Sequence, residues 1–120
     1  MPERTVPAGQ HVSPGDVVWV DLDPTISSEQ AGHRPAVVVS APDYLDAIPN
    51  VVIVVPVTTT HRGLPHLIRL GAQCGLPQAS FAMTEQPRTI DRRRVTSRAG
   101  TVDAASLRQV RQCLRRFLDL

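Results

Sequence analysis

The stretch GDVVWVDLDPTISSEQAGHRPAVVVS, residues 15–40, decides how this chain folds. It carries two β-branched runs around a polar middle. The first, Gly15–Leu22, partly alternates apolar and polar residues, as a half-buried strand does. The second, Ala36–Ser40, is continuously apolar and predicts a strand covered on both faces. Asp23-Pro24 closes the first strand, and Pro35 opens the second. Thr25–Arg34 between them is polar, contains Gly32, and reads as an exposed loop longer than most connections. Loops of that length often carry function.

Working outward, Val51–Thr59 (VVIVVPVTT) has the strongest strand pattern in the chain. Pro56 inside it predicts an edge position or a bulge, because proline cannot donate to a ladder. Ala41–Asn50 holds two prolines and reads as a connection, with room for a short turn at Asp43–Asp46. His66–Leu70 and Ala79–Gln86 read as strands separated by a Gly/Pro-rich turn at Gly71–Pro77, and Arg94–Val102 can form one more. From Asp103 the pattern changes to Leu107, Val110, Leu114, Phe117 and Leu118, which share one helical face. Asp103 suits the N-cap, where a carboxylate meets unpaired amide groups. Residues 1–14, with Pro2, Pro7, Gly9 and Pro14, read as a flexible lead-in to a single domain over 15–120. The expected fold is mainly β: a small barrel of five to six short strands with one C-terminal helix packed against it.

Composition narrows the function. The net charge of +2 conceals a split: residues 1–60 carry two arginines against seven carboxylates, and residues 61–120 carry eleven arginines against four. All 13 basic residues are arginine, whose planar fork grips phosphate in a bidentate way that lysine cannot. An anionic partner for the C-terminal half follows, either nucleic acid or an acidic peptide. No apolar run approaches the roughly 20 residues of a membrane span. The first residues show no apolar h-region, so a cytoplasmic location without membrane attachment is expected. Cys74 and Cys113 form no CxxC pair and are expected to be reduced. The aromatic residues are Trp19, Tyr44, Phe81 and Phe117, and three of them fall in predicted strands or helix, where core packing accounts for them. That excludes a non-specific single-strand binder built on several stacking aromatics. Any RNA binding must then rest on charge, hydrogen bonds and shape.

No Gly-rich phosphate loop, GxSxG or HExxH occurs. His61 and His66 flank a turn at a spacing unlike a zinc helix, His11 lies in the lead-in and His33 in the loop, so neither metal nor cofactor is expected. What remains is a polar set at strand ends: Glu29, Gln30 and Arg34 on the long loop; Thr58 and Thr59 ending the strongest strand; Ser80, Glu85, Gln86, Arg88 and Asp91 along and after another.

These segments have a recognisable spelling. SEQAGHRPAVV within residues 15–40, PVTTT at 56–60 and TEQPRTID at 84–91 resemble, in order, three blocks of the MazF/PemK family of toxin endoribonucleases. The resemblance extends from Gly15 almost to the C-terminus. It implies an SH3-like barrel, a homodimer, a neutralising MazE-like antitoxin that occupies the RNA site, and metal-independent cleavage of single-stranded RNA at short sequences. The family's catalytic arginine and threonine fall on Arg34 and Thr58, and its RNA contacts on Ser28, Gln30, Thr59, Ser80, Gln86 and Arg88. Glu29, ionised at neutral pH with an ordinary pKa of about 4.3, is a candidate general base on the same loop. Pro87 and the run Arg92-Arg93-Arg94 depart from the family pattern, and with Arg88 that run is expected to form a basic surface for RNA and antitoxin. Two other classes compete: a CcdB-like toxin directed at DNA gyrase, which shares the barrel and has no nuclease site, and a plain SH3-like interaction module.

Overall fold

Valine alternation builds this molecule from both sides of one sheet. The computed structural model describes residues 11–22 and 32–120, together with the backbone of residues 4–5. Its strands are β1 (Arg4–Thr5), β2 (Asp16–Leu22), β3 (Gly32–Val38), β4 (Val51–Thr58), β5 (Leu67–Arg69), β6 (Phe81–Met83), β7 (Arg88–Asp91) and β8 (Val95–Thr101). Helix α1 (Pro42–Ala47) separates β3 from β4, where a connection was expected, and α2 (Ala104–Leu118) ends the chain. All pairings are antiparallel, in the order β1-β8-β2-β3-β4-β6-β5, with β7 also paired to β4. The expected barrel is therefore an open sheet, with β1 and β5 at its ends among the described residues.

Side chains alternate across the pleat. Val17, Val37, Val55 and Val57 join one buried cluster with Val110 and Cys113 of α2. Val18, Val20, Ala36, Val38, Val52 and Val54 join a second, closed by Leu45 of α1, Ile90 of β7, and Val12. Full burial of a valine contributes about 1.5–3 kcal/mol, so these runs fix the strand register more strongly than any polar contact does. Both cysteines are buried and unbridged. Val12 lies within the stretch expected to be a lead-in, and the backbone of Arg4–Thr5 pairs with Arg98 and Ser97 of β8.

The Pro56 expectation is corrected. Strand β4 is interior, flanked by β3 on one side and by β7 and then β6 on the other. Ile53 accepts from the Val39 N–H at 3.0 Å, and its own N–H donates to Ser40 Oγ at 3.0 Å, so odd-numbered residues of β4 bond toward β3. Pro56 therefore turns its missing donor to the other side. There the partner changes from β7, ending at Val54–Arg88, to β6, starting at Val57–Ala82. The proline occupies the one step where no donor is required.

The turn at Ala72–Cys74 lies directly on the β8 backbone. Gly75 has φ +78°, and a Cβ there would collide with the Ala99 carbonyl. One at Gly100 would meet the carbonyls of Gln73 and Cys74. This contact sets where residues 76–80 leave the sheet.

In α2 the expected apolar face holds through Leu114 and then leaves the core: Phe117 is 49% and Leu118 55% exposed. The run Arg92–Arg94 is not an open basic surface. Arg92 is buried and donates to the carbonyls of Leu45 and Val51 at 3.1 and 3.3 Å, tying α1 to β4. Arg93 pairs with Asp91 at 2.8 Å, and Arg94 donates to the Asp21 carbonyl at 3.1 Å. No helix of the described residues is long and apolar enough to cross a membrane.

Asp103 caps α2, accepting from the Ser106 N–H at 3.1 Å, and hydrogen bonds from the Ser106 side chain and then its backbone hold the carboxyl below the ordinary 3.8. A depressed carboxylate stabilises the fold above its unfolded pKa and loses that effect as pH falls through the folded value. Urea unfolding at pH 7 is expected to show Asp103→Ala less stable than wild type and Asp103→Asn close to it. The Ala deficit should shrink as pH drops below 3.8; a deficit that does not change with pH would show that the carboxylate is not the cap.

Candidate active site

Arg34 stands on β3, opposite Val20 of β2, and not on the loop where the sequence placed it. Strand β3 begins at Gly32, so the arginine is held by a ladder on one side. The other side is open, for a reason the next residue supplies. The Val38 carbonyl accepts from Gly15 on the β2 side, whereas the Val39 N–H donates to Ile53 on the β4 side. By alternation, residue 35 bonds toward β4. Residue 35 is proline and has no N–H. The β3–β4 ladder accordingly ends at Ala36–Pro56.

Beyond that point the strands part, and cavities open on both sides of Arg34. One, of about 440 Å³, is lined by Arg34, Pro35, Val57, Thr58, Thr59 and Ser80, with Trp19, Thr60 and residues 76–78 completing its wall. The other, of about 240 Å³, is lined by Arg34, Pro56, Met83, Gln86, Arg88 and Ile90, among others. A third, of about 120 Å³, joins Thr58 to Gln86 past His66 and Glu85. Arg34, Thr58 and Gln86 are the shared walls of one continuous trough.

Thr58 is the last residue of β4, paired with Phe81 of β6. Its Oγ1 accepts from the Thr60 N–H at 3.1 Å, which leaves its O–H and one lone pair for a ligand. Thr59 is exposed at the cavity mouth. Ser80 is only 2% exposed, and its hydroxyl donates to the Gln78 carbonyl at 2.7 Å. It holds the wall more than it reaches into the cavity. Gln86 donates its amide N–H to Glu85 Oε2 at 3.1 Å, turning its carbonyl oxygen away from that carboxylate. Arg88 is exposed on β7, opposite Val54. Ser28, Glu29 and Gln30 lie outside the described residues.

The histidines do not converge on Arg34. His33 Nε2 bonds to Thr96 Oγ1 at 2.6 Å, His61 stacks on Phe81 at 4.6 Å, and His66 lies 3.7 Å from Glu85. The 440 Å³ cavity is lined by neither imidazole nor carboxylate among the described residues. No three of His, Cys, Asp and Glu group as a metal site among them either. The nearest perturbed acid is Asp91, held at about 2 by hydrogen bonds from Arg93. An arginine with hydroxyls around it suits binding and charge neutralisation of a phosphate; the titratable side chains His66 and Glu85 line the third cavity, with Thr58.

Residues 13–118 match the model of the PemK-like, MazF-like toxins of type II toxin–antitoxin systems. The chain belongs to this family. It is 39% identical over 98 residues to the endoribonuclease toxin MazF of Escherichia coli K12, covering 81% of this chain and 85% of that one. Among solved structures, MazF from Deinococcus radiodurans superimposes with a TM-score of 0.76 at 28% identity, over 92% of this chain and 99% of that one. A MazE–MazF structure from the same organism matches at a TM-score of 0.74 and 25% identity, over 92% and 98%. Membership sets aside the gyrase-directed and plain-module alternatives.

Within this MazF-like fold the sequence reading missed the far wall of the large cavity. Trp19 was assigned to the core, yet it is half-buried and lines the cavity with Leu76, Pro77 and Gln78. In the sheet Trp19 faces Pro35, the residue that stops the ladder, a pairing that the local sequence pattern does not reveal. In a Pro35→Ala variant the restored amide is expected to bond β4 and to exchange slowly with solvent by hydrogen exchange. Fast exchange at residue 35 would show that the strands part for another cause.

Proposed function

We propose that this chain is the toxin of a type II toxin–antitoxin pair and cuts single-stranded RNA by transesterification, without a metal ion. The observation that carries the reading is Arg34 standing between two cavities, with Thr58 beside it. A phosphate on Arg34 would leave one flanking nucleoside on each side of it. RNA brings its own nucleophile. The 2′-hydroxyl loses its proton to a base, its oxygen bonds to phosphorus, the P–O5′ bond breaks, and the leaving oxygen takes up a proton. The products are a 2′,3′-cyclic phosphate and a 5′-hydroxyl.

Arg34 is suited to the charge that builds on the phosphorane, since a guanidinium forks two N–H groups onto two oxygens. A guanidinium holds its proton and is a poor base, so its work is electrostatic, with proton donation to the 5′-oxygen as a second role. Thr58 donates its O–H to the same phosphate. Glu29 is our candidate for the base, and Ser28, Gln30, Thr59, Gln86 and Arg88 for RNA contacts, with Ser80 holding the wall behind them.

The relatives named endoribonuclease and the MazE–MazF structure support an RNA substrate and a MazE-like antitoxin as partners. An acidic, partly apolar tail that folds on binding would occupy the trough by presenting carboxylates to Arg34 and Arg88. Of the run at 92–94, Arg92 is buried within the fold and Arg94 reaches back to β2, so only Arg93, exposed beside Asp91, is left facing a partner. A homodimer fits a domain of this size, which leaves much surface exposed, and the apolar end of α2. A cytoplasmic location follows from an RNA target.

Purified protein incubated with a long single-stranded RNA should produce defined 2′,3′-cyclic phosphate ends. Arg34→Ala should lower the rate by about 10²–10³ with the circular dichroism spectrum unchanged, and Thr58→Ala by less. A folded Arg34→Ala variant that cuts at the wild-type rate would overturn the assignment. EDTA should leave cleavage unchanged, and inhibition reversed by Mg²⁺ would overturn the metal-free mechanism.

A further inference from the structure

We propose that the outward face of α2 is a second RNA-binding surface, an arginine ridge that holds the sugar–phosphate backbone of the substrate where the strand leaves the trough. The proposal rests on the endoribonuclease reading and extends the bound length of RNA beyond the cleavage site.

The first observation is the charge that α2 carries. Its 15 residues include Arg108, Arg111, Arg115 and Arg116 and no carboxylate; Asp103 and Asp119 lie outside it as the caps. All four arginines are exposed and, among the described residues, none is in an ion pair. Helix geometry places Arg108, Arg111 and Arg115, at i, i+3 and i+7, on one face, opposite the buried Val110 and Cys113. Like charges at these spacings repel one another. The helix dipole offsets that repulsion only in the last turn, where Arg115 and Arg116 stand. Arg108 and Arg111 lie too far from that end to gain from it. A face built for helix stability would set acids among the bases. A row of unneutralised arginines is instead the electrostatic footprint of a surface for a polyanion.

The second observation is where the helix ends. Phe117 meets His66 edge to face, with ring centroids 5.9 Å apart, and the Arg116 guanidinium lies 5.9 Å from the centre of the Phe117 ring. His66 lines the third cavity of the trough together with Thr58, Gln86 and Arg62. Arg62 is exposed and likewise outside any ion pair among the described residues. A strand leaving this cavity past His66 therefore meets Arg62 and then the last turn of α2. From Arg115 back to Arg108 the helix runs about 10 Å, so the ridge offers its guanidiniums in turn to successive phosphates, each able to fork two N–H groups onto one. The chemistry of the face selects RNA over an acidic polypeptide. Between Arg108 and Arg115 its exposed positions Gln109 and Gln112 are polar. A peptide that folds as it binds needs apolar anchors, whereas a phosphate backbone needs only charge and hydrogen bonds.

Once the cleavage site has been mapped, two labelled 2′-O-methyl probes, which bind without being cut, separate the ridge from the trough. One is a heptamer of that sequence; the other is the same heptamer extended at both ends by uridines. By fluorescence anisotropy the wild type should bind the extended probe about tenfold more tightly, with a slope of log affinity against log salt steeper by about 2. The triple variant Arg108→Gln, Arg111→Gln, Arg115→Gln should lose both differences, yet bind the heptamer and cut a short substrate as the wild type does. Glutamine keeps the helix, since its propensity is close to that of arginine. Lysine at the same three positions should restore most of the salt slope, because charge sets it. An extension that adds nothing in the wild type, or a glutamine variant that keeps the gain, would overturn the ridge while leaving cleavage intact. So would a glutamine variant that binds the extended RNA normally and loses affinity only for polyglutamate, which would make the face a polypeptide site. A wild-type protein that neither cuts RNA nor binds the heptamer would overturn the endoribonuclease reading itself, and the ridge with it.

Discussion

The ladder between β3 and β4 is the constraint on which the rest of the site depends. Ala36, Val37 and Val38 pair with Pro56, Val55 and Val54, and the valines bury against both faces of the sheet. This pairing is too well packed to slip, because a shift of one residue would exchange the faces of every side chain. It stops at a fixed place, since Pro35 has no amide to continue it. A rigid pair of strands that must separate at a defined residue is a means of making a cavity without sacrificing core. Arg34 is the first side chain beyond the separation.

Proline acts twice here, in opposite senses. At Pro35 the missing donor ends a ladder that would otherwise extend; at Pro56 it falls where β4 exchanges β7 for β6 and no donor is needed. The two positions lie on opposite sides of β4: toward β3 the strand end is open beyond Pro56, and toward β6 it stays paired through Thr58 and Phe81. The trough takes its continuity from this arrangement, and Arg34 and Thr58 serve as walls of more than one cavity. The remaining wall is set from farther away. Gly75 and Gly100 bring the turn at 72–75 onto β8, and the chain then carries Leu76, Pro77 and Gln78 across from Trp19.

The arginines show why a charge count is a weak guide to a surface. Arg92 satisfies two backbone carbonyls inside the fold, Arg93 neutralises Asp91, and Arg94 reaches back to β2. Of three consecutive arginines, Arg92 and Arg94 thus become long-range ties, and Arg93 stays at the surface beside Asp91. Arg34, in the acidic half of the chain, lines two of the cavities, with Arg88 on the wall of one of them. Its value lies in being held where a phosphate would sit, since a preorganised charge need not reorganise as the reaction proceeds.

The sequence by itself determined most of the strands and the terminal helix, because hydrophobic period and β-branching act locally; α1 and β7, short and half-polar, were not legible in it. The valine runs at 17–20, 36–39 and 51–57, the cap at Asp103 and the helical repeat up to Leu114 were legible for that reason. Three blocks that resemble one toxin family pointed to Arg34 and Thr58, and the fold places both on one cavity. Tertiary structure decided what depends on partners distant in the chain. Whether Pro56 marks an edge or a change of partner depends on β6 and β7; whether Arg92 is surface or core depends on the carbonyls of Leu45 and Val51; whether Trp19 packs or lines a cavity depends on where residues 76–78 run. Local pattern reports how a residue satisfies its own backbone and its period. The space beside it is made by segments tens of residues away, and only the folded chain brings them there.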